Sequence, residues 1–252
     1  MIWRSEAIWE AVAPLLVGFT VEVLPSIDST NSELMRRARA GRLDPVLLVA
    51  ERQSAGRGRL GRGWHSGEAD SLTFSLGLPL APADWSGLSL AVGVSLAETL
   101  HPSIQLKWPN DLWLSGRKLA GILIETASFG DGATGRYAVV GVGINIGPRT
   151  AEGLSTPPAW LREVLPSMGA ADALLEVMAP LVRTLQAFET FGFAPFQARF
   201  NARDALRDRA VILSDGTAGT AHGAGESGEL LVHTSRGMHP VTSSEVSVRP
   251  TP

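Results

Sequence analysis

Two short segments of this chain carry side chains that could do chemistry together. The first runs from Lys107 to Asp111 as Lys-Trp-Pro-Asn-Asp, and a second run, Lys-Leu-Ala-Gly-Ile-Leu-Ile-Glu, follows from Lys118 to Glu125. The Ser-Gly-Arg stretch between them favours a hairpin turn, which would bring both lysines, Asn110 and Asp111 close together. An enzyme that activates a carboxylic acid with ATP and hands the acyl group to an amine needs such a set of groups.

A loop from Gln53 to Arg62 supplies a second set, with the sequence Gln-Ser-Ala-Gly-Arg-Gly-Arg-Leu-Gly-Arg. Its glycines allow the backbone to approach a ligand closely, and its arginines can form forked, charge-assisted bonds to phosphate or carboxylate. The loop lacks the glycine-lysine-serine/threonine ending of a P-loop. A solvated basic surface loop is the alternative, but the composition favours an anion site that uses Arg57, Arg59 and Arg62.

Each residue of the first segment has an ordinary structural explanation when taken alone. Asn110 and Asp111 could simply form a turn, and Lys118 could be a solvated hairpin residue. In the functional interpretation Lys118 lies on a rigid strand near a reacting phosphate, and Asp111 accepts a proton or orients an amine. Gly121 would let a ligand or another backbone approach the strand. The combination, rather than any single residue, favours the functional interpretation.

Other possible motifs are weaker. The sequence from Ser29 to Glu33 has the composition of a capping box, in which Thr30 caps a helix and Glu33 reaches back. The run from Gly141 to Asn145 lacks the third glycine and the following helix of a dinucleotide fingerprint. The histidines show no metal-ligand spacing, so no structural metal is predicted, and the ligands of any other metal stay unknown.

Composition places the chain among ordinary globular proteins. Of its 252 residues, 44% are hydrophobic and 19% charged, and the net charge is −3. These values argue against disorder and against a general nucleic-acid or membrane binder. The absence of cysteine excludes disulfide and thiol chemistry and fits a cytoplasmic protein. The apolar stretch 11–19 is too short to span a membrane.

The elements that must position these residues alternate between helical and strand patterns. Spacing predicts an amphipathic helix at the start, further helices over 30–40 and 88–100, and a mainly helical stretch over 157–201. Strands are predicted over 20–24, 46–50, 104–108, 112–114, 119–125 and 137–146, and a half-buried strand over 71–78. The fold class is therefore α+β, a mixed β-sheet with helices.

A change of pattern after Asp204 indicates a second domain. Short β-type runs are predicted over 210–213, 217–221, 229–233, 239–241 and 245–248, separated by Gly or Ser turns. They predict a small β-barrel, which would need to dock on the main domain because it is too small to bury a core alone. We place a catalytic domain at 1–204 and the barrel at 205–252.

Four ordered motifs and the terminal β module resemble the biotin–protein ligases over essentially the whole chain. The resemblance implies a class II synthetase-like biotin/lipoate ligase core with an SH3-like C-terminal barrel. It also implies synthesis of biotinyl-5′-AMP from biotin and Mg-ATP, followed by biotin transfer to one lysine of a biotin carboxyl carrier protein. Self-association is common in the family, so a homodimer is possible. The motifs are Ser29-Thr30-Asn31, Gln53 through Arg62, Lys107 through Glu125, and Gly143-Ile144-Asn145.

Residue roles follow from the same resemblance. Catalysis would fall to Arg57, to Lys118 at the α-phosphate and to Asp111 at the acceptor lysine. The biotin site would comprise Ser29, Thr30, Asn31, Gln53, Arg57, Gly58, Arg59, Lys118, Gly121 and Ile122. The ATP site would comprise Arg57, Arg59, Arg62, Asn110, Lys118, Asn145 and Trp160.

The chain departs from the family pattern in two places. Leu60 stands where many relatives have a second arginine, and few residues precede the Ser-Thr-Asn motif. The second feature predicts a monofunctional ligase with no winged helix and no DNA binding. Two alternatives remain open. One is a lipoate or octanoate protein ligase, and the other is a nucleic-acid-binding module that uses the arginine loop and the barrel.

Overall fold

A computed structural model of the protein describes residues 2–64, 67, 70–128, 135–148, 157–242 and 248–250. The α-helices are α1 (Ser5–Val12), α2 (Thr30–Arg39), α3 (Leu88–Leu100), α4 (Ala170–Phe191) and α5 (Ala194–Asn201). The first seven strands are β1 (Thr20–Ile27), β2 (Val46–Gln53), β3 (Ser71–Leu80), β4 (Gln105–Lys107), β5 (Asp111–Leu114), β6 (Arg117–Ser128) and β7 (Arg136–Asn145). The last five are β8 (Ala210–Leu213), β9 (Ala218–Ala224), β10 (Leu230–Thr234), β11 (Gly237–Val241) and β12 (Val248–Pro250).

The first seven strands form one sheet in the order β1-β2-β3-β7-β6-β5-β4. Strands β1 and β2 run parallel, and every other neighbouring pair in this sheet is antiparallel. The predicted mixed sheet with helices is therefore confirmed. The predicted hairpin is also confirmed: β5 and β6 are joined by Ser115 and Gly116, both with positive φ, as a tight two-residue turn requires.

The two faces of this sheet are covered differently, and the difference makes room for a site. Helices α1, α3 and α4 pack on one face over the main apolar core. Helix α2 covers part of the other face, where Leu34 and Met35 pack against Tyr137 and Val139 in a second, smaller core. Beyond the N-terminus of α2 this face carries glycines and short polar side chains, so a cavity forms there.

Strand β3 corrects one prediction. Leu72, Phe74 and Leu76 alternate as predicted, but the intervening Thr73 and Ser75 are buried too, so the strand is covered on both faces. The Ser75 hydroxyl donates to Asn31 Oδ1 at 2.6 Å. Hydroxyls can be buried in this position because their hydrogen bonds are satisfied within the protein.

The predicted capping box is wrong in its details. Ser29, not Thr30, is the N-cap of α2, and its Oγ accepts a bond from the Ser32 amide at 3.4 Å. Glu33 turns away to accept bonds from Arg36 and Arg37. The box fails because the hydroxyl of Thr30 is used by the neighbouring strands.

The C-terminal segment forms a second, five-stranded antiparallel sheet in the order β11-β10-β9-β8-β12. It is consistent with an SH3-like domain, although the pairings in the described residues do not close it into a barrel. The boundary at 204/205 stays a prediction, and the predicted strand over 245–248 falls mainly outside the described residues. Within the described part of the chain, no helix is both long and apolar enough to cross a membrane.

Candidate active site

A cavity of about 680 Å³ opens on the sheet face that α2 leaves uncovered. This volume lies in the range of sites for small organic ligands. The Gly/Arg loop, the start of α2 and strands β3, β5, β6 and β7 all contribute to its wall. The lining residues are Ser29, Thr30, Asn31, Gln53, Arg57, Gly58, Arg59, Arg62, Gly63, Trp64, Thr73, Phe74, Asn110, Asp111, Lys118, Gly121, Ile122, Leu123, Gly141, Val142, Gly143, Asn145 and Pro158.

The lining set contains every predicted site residue except Trp160. Trp160 precedes a short 3-10 turn (Leu161–Glu163), and its ring centroid lies 5.7 Å from the guanidinium carbon of Arg117. Trp160 does not line this cavity, and its contact with an adenine stays a prediction. Asn145, by contrast, lies at the wall and donates to the Ala159 carbonyl at 3.0 Å, so it anchors the segment that leads to Trp160.

One end of the cavity is a cluster of satisfied polar groups at the start of α2. The backbone amide and the hydroxyl of Thr30 both lie within bonding distance of Gln53 Oε1, at 2.8 and 3.1 Å. Ser75 Oγ lies 2.7 Å from the Thr30 hydroxyl. Ser29, Thr30 and Asn31 are all buried. Their positions are fixed by internal hydrogen bonds before a ligand arrives.

Asn31 is the most constrained member of this cluster. Its amide nitrogen donates to the Leu123 carbonyl at 3.2 Å and to Glu125 Oε2 at 3.1 Å. With both hydrogens used, the amide can turn in only one way, and Oδ1 must face Ser75. An oxygen has two lone pairs, so Oδ1 can accept one further bond from a ligand N–H.

The Gly/Arg loop folds back on itself above the cavity. The Trp64 amide donates to the Gly56 carbonyl at 2.8 Å, and the Gly58 amide donates to the Arg62 carbonyl at 2.7 Å. Leu60, at the tip of the loop, is 58% exposed and has φ 56°. Leu60 is not among the residues that line the cavity, whereas Arg57, Arg59 and Arg62 are.

Arg59 connects the loop to the Trp-Pro-Asn-Asp corner. Its Nη1 lies 3.3 Å from Asn110 Oδ1. Burial lowers the pKa of the Arg59 guanidinium, while the nearby negative charge of Asp111 raises it and the positive charge of Arg62 lowers it further. The two segments singled out in the sequence thus meet across one cavity.

Lys118 and Asp111 form an ion pair in the cavity wall, with Lys118 Nζ 2.7 Å from Asp111 Oδ1. The side chains are 43% and 17% exposed, respectively. Gly121 pairs with Asp111 in the sheet, and a Cβ added there would lie 3.3 Å from Lys118 Nζ. The glycine gives the ammonium group room to lie over the strand.

A row of glycines on the cavity face makes room for neighbouring side chains. A Cβ at Gly141 would lie 2.0 Å from Asn31 Oδ1, and one at Gly143 would lie 2.3 Å from the Trp64 ring. Alternating glycines at the end of an apolar strand were the available signal. Trp64, Thr73 and Ser75 were missed because their contacts are distant in sequence.

The comparisons with known proteins agree with this geometry. A sequence model of the biotin/lipoate A/B protein ligase family matches residues 23–145. The "Bifunctional ligase/repressor BirA" of Escherichia coli is 38% identical over 249 residues, covering 93% of this chain and 75% of the relative. The biotin--[acetyl-CoA-carboxylase] ligase of Paracoccus denitrificans is 32% identical, covering 89% and 98%.

Solved structures give the same result. The biotin protein ligase of Aquifex aeolicus in complex with biotin and ATP superposes with a TM-score of 0.78 at 30% identity. The match covers 92% of this chain and 99% of that one. Sequence identity, coverage and fold agree, and the chain belongs to the biotin–protein ligase family.

Proposed function

We propose that this cavity is where the chain, as a biotin–protein ligase, makes biotinyl-5′-AMP from biotin and ATP and transfers biotin to a carrier lysine. The observation that carries the proposal is the position of the arginine loop and of Lys118 on one cavity, with a preformed polar cluster at its other end. The two ends of a biotin molecule match the two ends of the cavity, with a ureido ring for the polar cluster and a carboxylate for the positive groups.

The ureido ring would lie against the start of α2. Burying its donors and acceptors costs free energy unless each finds a partner. Asn31 Oδ1 keeps one lone pair for a ureido N–H, and the Ser29 hydroxyl can donate to the ureido oxygen. The proton of the Thr30 hydroxyl is already used within the cluster. Ile122 and Gly121 would wall the apolar part of the ligand.

In the first step a biotin carboxylate oxygen attacks the α-phosphorus of ATP, and the bond from that phosphorus to the bridging oxygen breaks. Pyrophosphate leaves with the bond's electrons. Negative charge builds up on the phosphoryl oxygens, and fixed positive groups aimed at it lower the barrier. We assign this role to Lys118, with the carboxylate and phosphates held by Arg57, Arg59 and Arg62.

In the second step the carrier's lysine amine attacks the acyl carbon of biotinyl-AMP, an amide forms and AMP leaves. The lysine ammonium must lose one proton to become a nucleophile, and its nitrogen loses a second proton as the amide forms. Asp111 forms an ion pair with Lys118, and its carboxylate can accept a hydrogen bond or a proton from the incoming amine. Asn110 would contact the phosphates.

Magnesium would enter with ATP, because Mg²⁺ takes most of its ligands from phosphates and water and few from protein. Asp111 and Asn110 bring side-chain oxygens to the lining of the cavity, and they fit that preference. The ion would neutralise part of the triphosphate charge. A biotin carboxyl carrier protein as partner, a cytoplasmic location and a possible homodimer also form part of this proposal.

The test offers biotin and lipoate separately in ATP–pyrophosphate exchange. It then uses mass spectrometry to look for a biotin adduct on a carrier fragment incubated with the protein, biotin and Mg-ATP. We expect exchange with biotin and a single biotinylated lysine. Exchange with lipoate alone would support a lipoate or octanoate protein ligase instead. Salt-sensitive RNA binding without ATP turnover would support a nucleic-acid-binding module instead. An electrophoretic shift assay with biotin-operator DNA checks the expected absence of DNA binding.

A further inference from the structure

The carboxylate of Glu125 lies close to the cavity but has no role in the two steps of the proposed mechanism. Glu125 is on β6, two residues beyond Leu123 on the cavity face of the sheet, and its side chain is 22% exposed. An acidic group close to a site for phosphates opposes anion binding unless its charge is already neutralised. The contacts of Glu125 show how the charge is neutralised.

Both carboxylate oxygens of Glu125 are bonded, and to different parts of the site. Oε1 accepts from Arg57 Nη2 at 3.0 Å, and Oε2 lies 3.4 Å from Arg57 Nη1. Oε2 also accepts from Asn31 Nδ2 at 3.1 Å. One side chain therefore holds an arginine of the Gly/Arg loop and the side-chain amide of Asn31 on α2 at the same time.

We propose that Glu125 is a positioning residue that fixes both Arg57 and the amide of Asn31, and so links the biotin end of the cavity to the arginine loop. The inference rests on the proposed function for its substrates. Glu125 lies outside the set of lining residues, so it acts through these two partners and not by touching the reacting atoms.

The chemistry of the two contacts explains why a carboxylate is required. Arg57 and Asn31 both present N–H donors to this point, and a carboxylate is an acceptor at both oxygens. A glutamine has one acceptor and one donor, so it would set its own N–H groups against either Arg57 or Asn31. It would also leave the guanidinium without a counter-charge. Charge-assisted bonds of this kind are roughly twice as strong as neutral ones.

The test compares Glu125→Gln and Glu125→Asp with the wild-type protein. We expect Glu125→Gln to raise the KM for biotin by about tenfold or more, as loss of a hydrogen bond to a charged group predicts. Its melting temperature should stay close to that of the wild type, and its dependence on Mg²⁺ should be unchanged. Glu125→Asp, which keeps the charge, should recover part of the loss. In an Arg57→Ala background, Glu125→Gln should have a smaller effect, because one of its partners is already gone.

The matched control is Glu98→Gln. Glu98 also accepts a forked pair of bonds from an arginine, Arg199, but it lies on α3, on the opposite side of the sheet. This variant should behave as wild type in every assay. If Glu125→Gln were equally silent, or equally harmful with and without Arg57, the inference would be overturned. A selective rise in the Mg²⁺ requirement would identify Glu125 as a metal ligand instead.

A second readout needs no substrate and therefore separates this inference from the proposed function. Trypsin cleaves after an arginine only when that side chain can enter the specificity pocket of the protease. Releasing Arg57 from Glu125 should therefore speed cleavage after Arg57 several-fold in the ligand-free protein. Faster cleavage in a protein that proves inactive with biotin would sink the proposed function and leave the role of Glu125 intact. Unchanged cleavage would sink the inference alone.

Discussion

In the proposed mechanism, the two partners of the Lys118–Asp111 ion pair act in successive steps. Asp111 Oδ1 lies 2.7 Å from Lys118 Nζ, so this ion pair holds the ammonium group at the cavity wall. During adenylation the ammonium group must face a phosphoryl oxygen. During transfer the carboxylate must face an incoming amine. Because each partner is assigned to a different step, replacing one partner at a time should affect the two half-reactions differently.

Lys118→Ala should cripple formation of biotinyl-AMP. Removing one positive group aimed at developing negative charge typically costs about 10²–10³-fold in kcat. Pyrophosphate exchange measures this, and the KM for biotin should change far less. Lys107→Ala is the control, because Lys107 lies 4.9 Å from the ring centroid of Trp113 and is not in the cavity lining. A normal exchange rate in Lys118→Ala would remove the role assigned to Lys118.

Asp111→Asn should mainly damage transfer. Asparagine can still accept a hydrogen bond from Lys118, so exchange should stay near the wild-type rate. It cannot accept a proton, and loss of a general base typically costs about 10²–10⁴-fold. Single-turnover transfer from preformed biotinyl-AMP to a carrier fragment is the measurement. Equal losses in both half-reactions would mean that Asp111 acts through Lys118 and has no separate role in transfer.

At the scale of elements, strands β6 and β7 form the floor on which the site is built. Gly121 pairs with Gly143, and Leu123 pairs with Gly141. The missing side chains leave space into which Lys118, Trp64 and Asn31 extend. A ligand floor made of backbone tolerates close approach, and an ordinary strand face does not.

Gly143→Ala should therefore disturb the site more than the fold. The new methyl would lie 2.3 Å from the Trp64 ring, so the indole and the end of the Gly/Arg loop must move. We expect biotin and ATP to bind at least several-fold more weakly, with a melting temperature lowered by only a few degrees. Calorimetric binding and thermal unfolding measure the two effects. Gly169→Ala, at the N-cap of α4, is the control. Unchanged binding in Gly143→Ala would show that Trp64 has no part in the site.

The sequence was most informative where local chemistry determines the structure. The Ser115-Gly116 turn fixes the β5–β6 hairpin, and the glycines and arginines of residues 53–62 pointed to a loop that does line the cavity. It was least informative where distant strands meet. Ser75 is indistinguishable in sequence from a solvent-facing strand serine, and only its contact with Asn31, 44 positions away, shows its place in the site. The cap of α2 was misassigned for the same reason, since Thr30 is used by Gln53 and Ser75.

At the scale of the whole molecule, the two sheets are joined at the edge of the first. Leu106 on β4 exchanges backbone bonds of 2.8 Å with Arg203 and Ala205, so the chain adds to the edge strand before it enters the second sheet. Trp108 Nε1 donates to the Gly228 carbonyl at 3.0 Å. The Trp-Pro-Asn-Asp corner thus contacts the turn between β9 and β10.

Asp204 lies in this junction, and we predict that its ionisation makes the stability of the folded protein depend on pH. The side chain is buried; Oδ1 accepts from the Leu206 amide at 2.9 Å, and Oδ2 has no hydrogen-bond partner among the described residues. Burial is the main cause that raises the pKa of Asp204 from 3.8 to about 6. The folded protein therefore holds this proton more tightly than the unfolded chain. The contribution of Asp204 to stability is fully present below the unfolded pKa and is lost as the pH rises through about 6.

Asp204→Asn should remove this dependence, because asparagine can accept the Leu206 bond without ionising. Above about pH 6 the variant should be more stable than the wild type, by up to about 3 kcal/mol for a shift of roughly two pKa units. Thermal unfolding between about pH 4 and 8 measures the difference. Asp84→Asn is the matched control, since Asp84 accepts the same kind of bond from the Ser86 amide at 2.8 Å in an exposed turn. If both variants followed the wild-type pH profile, ionisation of Asp204 would have no part in the stability of the junction.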